Sequence, residues 1–564
     1  MTGSDPIGAE LRGAARAWLA EDPDPATTAE LAALLARAEA GEHDARDELA
    51  DAFGGTLQFG TAGLRGRLGP GSNRMNRVVV ARAAAGLAAF LKQRQPAGGR
   101  VVVGYDARRD SAVFAHDTAA VLAGAGLSAV VLPAALPTPV LAFAVRLLGC
   151  DAGVMVTASH NPADDNGYKV YLGDGSQIAP PAESALGARI AEAGPLASIP
   201  RSADYPVLDG AVLDAYVARA VSLLGRGPRE VTAVYTALHG VGGEVFLRVL
   251  SASGFPAPAT VAAQFAPDAR FPTVRFPNPE EPGALDLALA DARAARPDVV
   301  LAHDPDADRC AVGIPDGDDY RMLTGDEVGA LLGWWIAERG RRDGVPVRGV
   351  YAQSVVSAAL LEHLAADAGL GYAATLTGFK WIAKVPGLRF GYEEALGYCC
   401  DPEAVRDKDG ITAALLMLEM TAALKAAGRG PQDVLDDLAR RHGLYATGPV
   451  SVRVADTALI TAAMDRLRAR PPAALGGRAV VRVDDFRDGM AGLPPTDGLR
   501  FTMTGARVIV RPSGTEPKLK CYLQVVEPVT AEIGAARAAA RSGLAALRAG
   551  VVELLALPAA DVTR

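Results

Sequence analysis

Lysine is scarce in this sequence. Of 57 basic residues only 8 are lysine, and the other 49 are arginine. Five of the eight, Lys169, Lys380, Lys408, Lys518 and Lys520, fall in segments rich in Gly, Asp and Pro. A lysine offers a compact, titratable ammonium that arginine does not replace, so these segments are singled out. Positive charge is short overall, with a net charge of −8. That excludes a broad basic face, and with it nucleic acid or an anionic membrane as the main partner. An anionic small substrate is allowed if positive charge is gathered locally. Cysteine is scarce too. The five present show no paired spacing, and the adjacent Cys399 and Cys400 cannot form a metal knuckle. With no signal-like segment at the start, a reducing, cytoplasmic location is expected. The long uncharged run Thr118 to Val145 raises a membrane span, but Pro133, Pro137, Pro139 and several glycines break it into helix, strand, turn and helix.

What is present is a chain of 564 residues, half of them hydrophobic. That is enough for several cores and roughly three to five domains. The first 50 residues carry helical apolar spacing, as in Leu31, Leu34 and Leu35, and read as an N-terminal helical extension. Short apolar strands then alternate with helices in three successive units. The strands include Val101–Val103, Gly153–Val156, Val299–Ala302 and Gly349–Tyr351. This grammar predicts α/β domains with parallel or mixed sheets covered on both faces. After about Gly448 strands outnumber helices, which predicts a smaller α+β domain. The expected division is an extension over 1–50, α/β domains over 51–206, 207–320 and 321–440, and the α+β domain over 441–564. Joints are expected near Tyr205-Pro206, Asp316 to Asp319 and Arg440 to His442.

Four loops carry chemistry. Thr157-Ala158-Ser159-His160-Asn161-Pro162 follows a buried strand directly, where α/β proteins bind ligands. On their own these residues could equally make an ordinary β-turn. Asp304-Pro305-Asp306-Ala307-Asp308-Arg309 also follows a strand, and its three alternate carboxylates suit a hard divalent cation. A calcium loop would need Gly sixth and Glu twelfth, where Arg309 and Pro315 stand. An aspartyl-phosphate phosphatase loop remains open. Gly391-Tyr392-Glu393-Glu394-Ala395-Leu396-Gly397-Tyr398 pairs two acids suited to sugar hydroxyls. Arg511-Pro512-Ser513-Gly514-Thr515-Glu516-Pro517-Lys518 offers a guanidinium, hydroxyls and free N–H groups to a phosphate. Arg65, in the Gly-rich run Phe59 to Gly66, also suits phosphate.

These motifs, in this order, resemble the α-D-phosphohexomutase superfamily over about residues 53–526. The runs Asn73-Arg74-Met75-Asn76 and Asp407-Lys408-Asp409-Gly410, with the N-terminal extension, resemble its phosphoglucomutase-2/phosphopentomutase branch. The resemblance implies four domains around one cleft and a phospho-sugar mutase working through a bisphosphate intermediate. It implies Ser159 as the phosphoserine, and Mg²⁺ held by Asp304, Asp306, Asp308 and the seryl phosphate. Arg309 would pair with the phosphoserine. Lys169, Arg65 and His160 join the catalytic set, with Lys169 as a base of lowered pKa. Lys380, Glu393 and Glu394 would meet the sugar. Arg511, Ser513, Gly514, Thr515 and Lys518 would hold the phosphate that is not transferred. The sugar loop departs from the pattern of many hexose enzymes. Ala395 stands for a Ser, Tyr398 for a His, and Leu396 is inserted. Each lost bond weakens hexose discrimination by about 1–3 kcal/mol, which opens the site to a pentose phosphate. A sugar-1,6-bisphosphate synthase and a sugar phosphatase with Asp304 as nucleophile are the rival activities, and a monomer or dimer is expected.

Overall fold

The computed structural model describes residues 8–60, 63–95, 98–454, 456, 458–489, 493–513, 518–555 and 562–563. Three helices, Ala9–Glu21, Pro25–Glu39 and His43–Phe53, open the chain. Pro25 at the first helical position and an Asp24 side chain that accepts from the Ala26 N–H at 2.9 Å start the second of them. Leu31, Leu34 and Leu35, spaced to one helical face, are buried in a core shared with the first sheet.

That sheet comprises β1 (Leu64–Arg67), β2 (Arg100–Tyr105), β3 (Ser128–Val131), β4 (Ala152–Val156) and β5 (Asp165–Leu172). Its order is β1-β5-β4-β2-β3, with β2 parallel to β3 and β4, and β5 antiparallel to β4. The second sheet repeats the arrangement with β6 (Ala233–Thr236), β7 (Ala259–Thr260), β8 (Val299–His303), β9 (Cys310–Asp316) and β10 (Asp319–Met322), in the order β10-β9-β8-β6-β7. The third contains β11 (Val350–Ser354), β12 (Gly371–Thr375), β13 (Leu388–Glu393) and β14 (Gly397–Cys399), in the order β12-β11-β13-β14. In all three, the last parallel strand turns back into an antiparallel partner: β4 into β5, β8 into β9, β13 into β14. The serine, aspartate and glutamate loops occupy this same connection.

The uncharged run is, as expected, helix Ser111–Gly124, β3, a turn and helix Thr138–Leu147. Among the described residues no single helix is long and apolar enough to cross a membrane. Asp316 to Asp319 is the tight turn of the β9–β10 hairpin, so the second sheet continues to Met322. Arg440 to His442 is the last turn of helix Pro431–His442, and the chain leaves it at Gly443, whose φ of 87° suits a residue without Cβ.

The C-terminal sheet contains β15 (Leu444–Arg453), β16 (Ala474–Leu475), β17 (Arg478–Asp485), β18 (Leu499–Met503), β19 (Ala506–Pro512), β20 (Lys518–Glu527) and β21 (Val562–Thr563), in the order β16-β17-β18-β19-β20-β15-β21. It packs helix Ile533–Leu555 onto a core of its own. By contrast, one continuous core runs through all three α/β units, from Val102 to Leu438.

Candidate active site

Ser159 is 3% exposed, at the end of β4, with φ 55°. The loop is braced from inside the sheet. Thr157 Oγ1 donates to Asp106 at 2.6 Å and accepts from the Ser159 N–H at 2.8 Å. Ser159 Oγ then donates to Asp304 at 2.7 Å and lies 3.2 Å from His160 Nδ1. The serine and aspartate loops, 145 residues apart in sequence, therefore meet directly.

Asp304, Asp306 and Asp308 are fully buried, with one oxygen from each within 4.8 Å of the others. Ala307 takes a positive φ of 53°, and its N–H donates to the Asp304 carbonyl, which folds the alternate carboxylates toward one point. The Arg309 N–H donates to Asp304 Oδ1 at 3.0 Å. Thr138, at the start of its helix in the first unit, donates to Asp306 at 2.5 Å. Among the described residues, Asp306 Oδ1 and Asp308 Oδ1 are buried with no hydrogen-bond partner. Buried carboxylate oxygens aimed at one point without donors are the donor set a hard divalent cation requires.

Lys169 stands on β5, beside the serine strand. Its ammonium lies 2.8 Å from Asp306 and 3.1 Å from Asp308. Burial acts to lower its pKa, but the two carboxylates prevail and hold it above the ordinary lysine value. This corrects the expected lowering: Asp306 and Asp308 outweigh burial and the neighbouring cations Lys408 and Arg65. Burial and the other two carboxylates push Asp304 well above the carboxylate range. For Asp308, burial is outweighed by Lys169, Lys408 and Arg309, which hold it far below that range. Burial, then Arg309 and Arg65, push His160 well below the usual histidine value, so the ring is neutral. Arg309 pairs with Glu280 at 3.3 Å. Arg65, on β1, donates to the Asn161 side chain at 3.2 Å.

The loop with the paired acids Glu393 and Glu394 is the β13–β14 turn. Glu393 accepts from the Gly378 N–H at 2.7 Å, and Glu394 accepts from Ser357 Oγ at 2.8 Å. Burial, Glu393 and Asp326 together push the Glu394 carboxyl up to about 8. Tyr398 is not at the turn surface. It is fully buried under Tyr392, with ring centroids 6.5 Å apart, and so does not stand in for a sugar-binding histidine. Leu396 is likewise buried, against Leu238 and Leu285. Lys380 is 3% exposed and paired with Glu183 of the first unit, so its charge is engaged between units. Arg511 is the penultimate residue of β19, and the Ser513 N–H donates to the Lys518 carbonyl at 2.8 Å, closing the mouth of the hairpin. Gly514 and Thr515 lie outside the described residues.

Lys408, marked in the sequence by the scarcity of lysine and by the run Asp407-Lys408-Asp409-Gly410, belongs with the site. Its ammonium is 3.1 Å from Asp308 and 3.3 Å from Asp407. Its stem passes so close to Gly397 that a Cβ there would collide with Lys408 Cδ. Thr138 gave no signal at all.

Comparison with known proteins fits this geometry. Four family models match in order: phosphoglucomutase/phosphomannomutase alpha/beta/alpha domain I over residues 56–196, domain II over 214–317, domain III over 324–442 and the C-terminal domain over 450–540. A probable phosphomannomutase of Haemophilus influenzae is 47% identical, over 80% of this chain and 92% of its own. A probable phosphoribomutase of Schizosaccharomyces pombe is 36% identical, over 83% and 86%. The human phosphopentomutase is 32% identical, over 91% and 90%. Among solved structures, a putative phosphomannomutase from Thermus thermophilus superposes with a TM-score of 0.70 at 26% identity, over 89% of this chain and 99% of that one. With every domain matched and curated relatives covered almost end to end, the chain belongs to the phosphoglucomutase/phosphomannomutase family and is an enzyme, an intramolecular phosphotransferase.

Proposed function

We propose that this phosphomutase carries its phosphoryl group on Ser159 and moves it between the C1 hydroxyl and the C5 or C6 hydroxyl of a pentose or hexose phosphate. The observation that carries the reading is the 2.7 Å hydrogen bond from Ser159 Oγ into the buried three-carboxylate loop. A hydroxyl held there is next to the donor set that a phosphoryl dianion and its counter-ion need.

Asp304, Asp306 and Asp308, with the seryl phosphate, would hold Mg²⁺, and the unpartnered oxygens of Asp306 and Asp308 support that fit. When bound, the ion supplies positive charge to the phosphoryl oxygens. The protein's own residues do the rest. A sugar hydroxyl attacks the phosphorus of phosphoserine, the bond from phosphorus to Ser159 Oγ breaks, and Oγ takes a proton from the Lys169 ammonium, which the proton leaving the attacking hydroxyl restores. Lys169, kept an ammonium by Asp306 and Asp308, is the buried proton donor in this exchange. Arg309, Arg65 and Lys408 provide fixed positive charge around the transferring group. Neutral His160 positions Oγ. The resulting bisphosphate turns over, and its other phosphate returns to Ser159. Lys380, Glu393 and Glu394 bind the sugar, and the loop from Arg511 through Ser513, Gly514 and Thr515 to Lys518 binds the phosphate at rest. With all five cysteines free and buried, we place the enzyme in a reducing cytoplasm.

Ala395 and the buried Tyr398 remove two polar groups from the sugar loop and favour a pentose. The test compares turnover of ribose 1-phosphate, deoxyribose 1-phosphate and glucose 1-phosphate, with Ser159→Ala as control. Loss of all three activities in the control is expected. Full activity in Ser159→Ala, with steady phosphate release, would transfer the role to Asp304 as the nucleophile of a phosphatase. Bisphosphate accumulating from another phosphoryl donor would make the enzyme a synthase. A glucose preference of several hundred-fold, about 3 kcal/mol or more, would overturn the pentose assignment.

A further inference from the structure

Behind the serine loop lies Arg108, 4% exposed and bonded to neither Ser159 Oγ nor the three carboxylates. We infer that Arg108 is a positioning residue for phosphoryl transfer, fixing the backbone of residues 159–165 so that Ser159 Oγ stays aimed at the aspartate loop. The inference rests on the reading of Ser159 as phosphoryl carrier. One guanidinium nitrogen donates to the carbonyls of Ser159 at 2.5 Å and Asn161 at 2.6 Å, and the other to those of Pro162 at 2.7 Å and Asp165 at 3.1 Å. A single side chain thus satisfies four carbonyls of one tight turn. The N–H side of the same loop is held by Asp106 through Thr157, and Asp106 Oδ2 lies 3.4 Å from Arg108 Nε. The acid and the base of the run Asp106-Ala107-Arg108 therefore hold the loop from its two polarities.

The hold extends to the second unit. The Arg108 guanidinium carbon lies 4.9 Å from the ring centroid of Phe271, which is 3% exposed. Phe271 belongs to the unit that carries Asp304, so the contact fixes the two loops relative to each other as well as each within itself. Such a hold is needed because Ser159 has φ 55°, a backbone region that costs a residue with a Cβ about 1–2 kcal/mol. Released, the residue would relax to negative φ and swing Oγ away from Asp304. A misplacement of about 1 Å at the reacting atom costs about 100-fold in rate. Lysine cannot take the place of Arg108, because one ammonium nitrogen does not span four carbonyls laid out for a planar fork.

The test uses Arg108→Lys and Phe271→Leu in the full-length enzyme. Each is loaded from glucose 1,6-bisphosphate, and phosphate on Ser159 is quantified by peptide mass spectrometry. Transfer of that phosphate to glucose 1-phosphate or ribose 1-phosphate, whichever the native enzyme turns over faster, is followed in a single turnover and counted per phosphoserine. Misfolded molecules then drop out of the rate. Arg108→Lys is expected to accept phosphate on Ser159 but pass it on about 100-fold more slowly, with KM within about threefold of native because the Arg511 loop is untouched. Phe271→Leu, which keeps the apolar volume but loses the ring face, should be slower by about tenfold. A rate per phosphoserine within about threefold of native in Arg108→Lys, or a raised KM at unchanged rate, overturns the inference. Should Arg108→Lys fail to fold, a native rate in Phe271→Leu overturns it instead. No phosphate on Ser159 of the native enzyme would defeat the carrier reading itself, and this inference with it.

Discussion

Ser159 joins two demands on a single residue, a hydroxyl for chemistry and a backbone that glycine would adopt more easily. Its φ of 55° predicts a separation of stability from activity. Ser159→Gly should be at least as stable as Ser159→Ala, by up to about 1 kcal/mol, while both lose mutase activity. Thermal melts of the two proteins side by side check this, and a clearly less stable glycine variant would show that the native backbone is not strained there. Glu394 supports a second prediction at this scale. Its folded pKa of about 8 lies above the usual carboxylate value, chiefly through burial. The folded state therefore holds a proton that the unfolded chain releases. Wild-type stability falls from this group as pH rises from about 4.5 to about 8 and is level above. Glu394→Gln has no such group, so its melting temperature should gain on wild type across that window and keep a constant offset beyond it. An offset independent of pH would mean that Glu394 ionises normally.

At the scale of the element, three loops with unlike chemistry occupy one structural position, the turn from the last parallel strand into an antiparallel one. For two of them this was legible, because a buried apolar run ending in turn formers marks a strand edge: Val154 to Ser159 and Leu301 to Asp306; the strand Leu388–Glu393 ahead of the paired acids, interrupted by Arg389 and Gly391, was not. Less legible were the antiparallel strands that follow. β5 carries polar residues, Asn166 and Lys169 among them, and lacks the continuous apolar run of a strand buried on both faces, while β9 is apolar over Cys310 to Pro315 but follows the aspartate loop with no local sign of its direction. Partners were not legible either. Nothing local tells that Lys380 will pair with Glu183, that Lys408 will reach Asp308, or that Tyr398 will turn inward. Those outcomes are set by packing between units. The aspartate loop gives the prediction at this scale. Asp308 is contacted by Lys169 and Lys408, so Asp308→Asn removes one of the three carboxylates proposed to hold the ion and leaves two buried ammoniums short of an anion. Calorimetric titration with Mg²⁺ should show binding weakened by about tenfold or more, and chelation should abolish mutase activity in the native enzyme. Unchanged Mg²⁺ affinity in the variant would remove Asp308 from the ligand set.

At the scale of the molecule, the four units are not joined alike. The three α/β units share one continuous core, whereas the C-terminal unit keeps its own. It meets the third unit through a small apolar cluster of Val355, Val356, Phe486 and Ile509 and a few polar contacts. Thr447 Oγ1 donates to Asp326 at 2.8 Å, the Ala359 N–H donates to Gln524 at 3.0 Å, and Arg507 donates to the Ser357 carbonyl. Such a joint is cheap to open relative to a shared core, and the unit it carries bears the Arg511 loop. Opening would withdraw the grip proposed for that loop on the phosphate at rest while leaving Ser159, the three aspartates and Lys169 as they are. Thr447→Val tests this division of labour. Valine keeps the shape and removes one hydrogen bond, about 1 kcal/mol. KM for the sugar phosphate should then rise by about fivefold, while the single-turnover rate of phosphate transfer from Ser159 at saturating substrate stays within about twofold. If the transfer rate fell and KM held, the C-terminal unit would be part of the transfer machinery itself and more than the cover that holds the substrate against it.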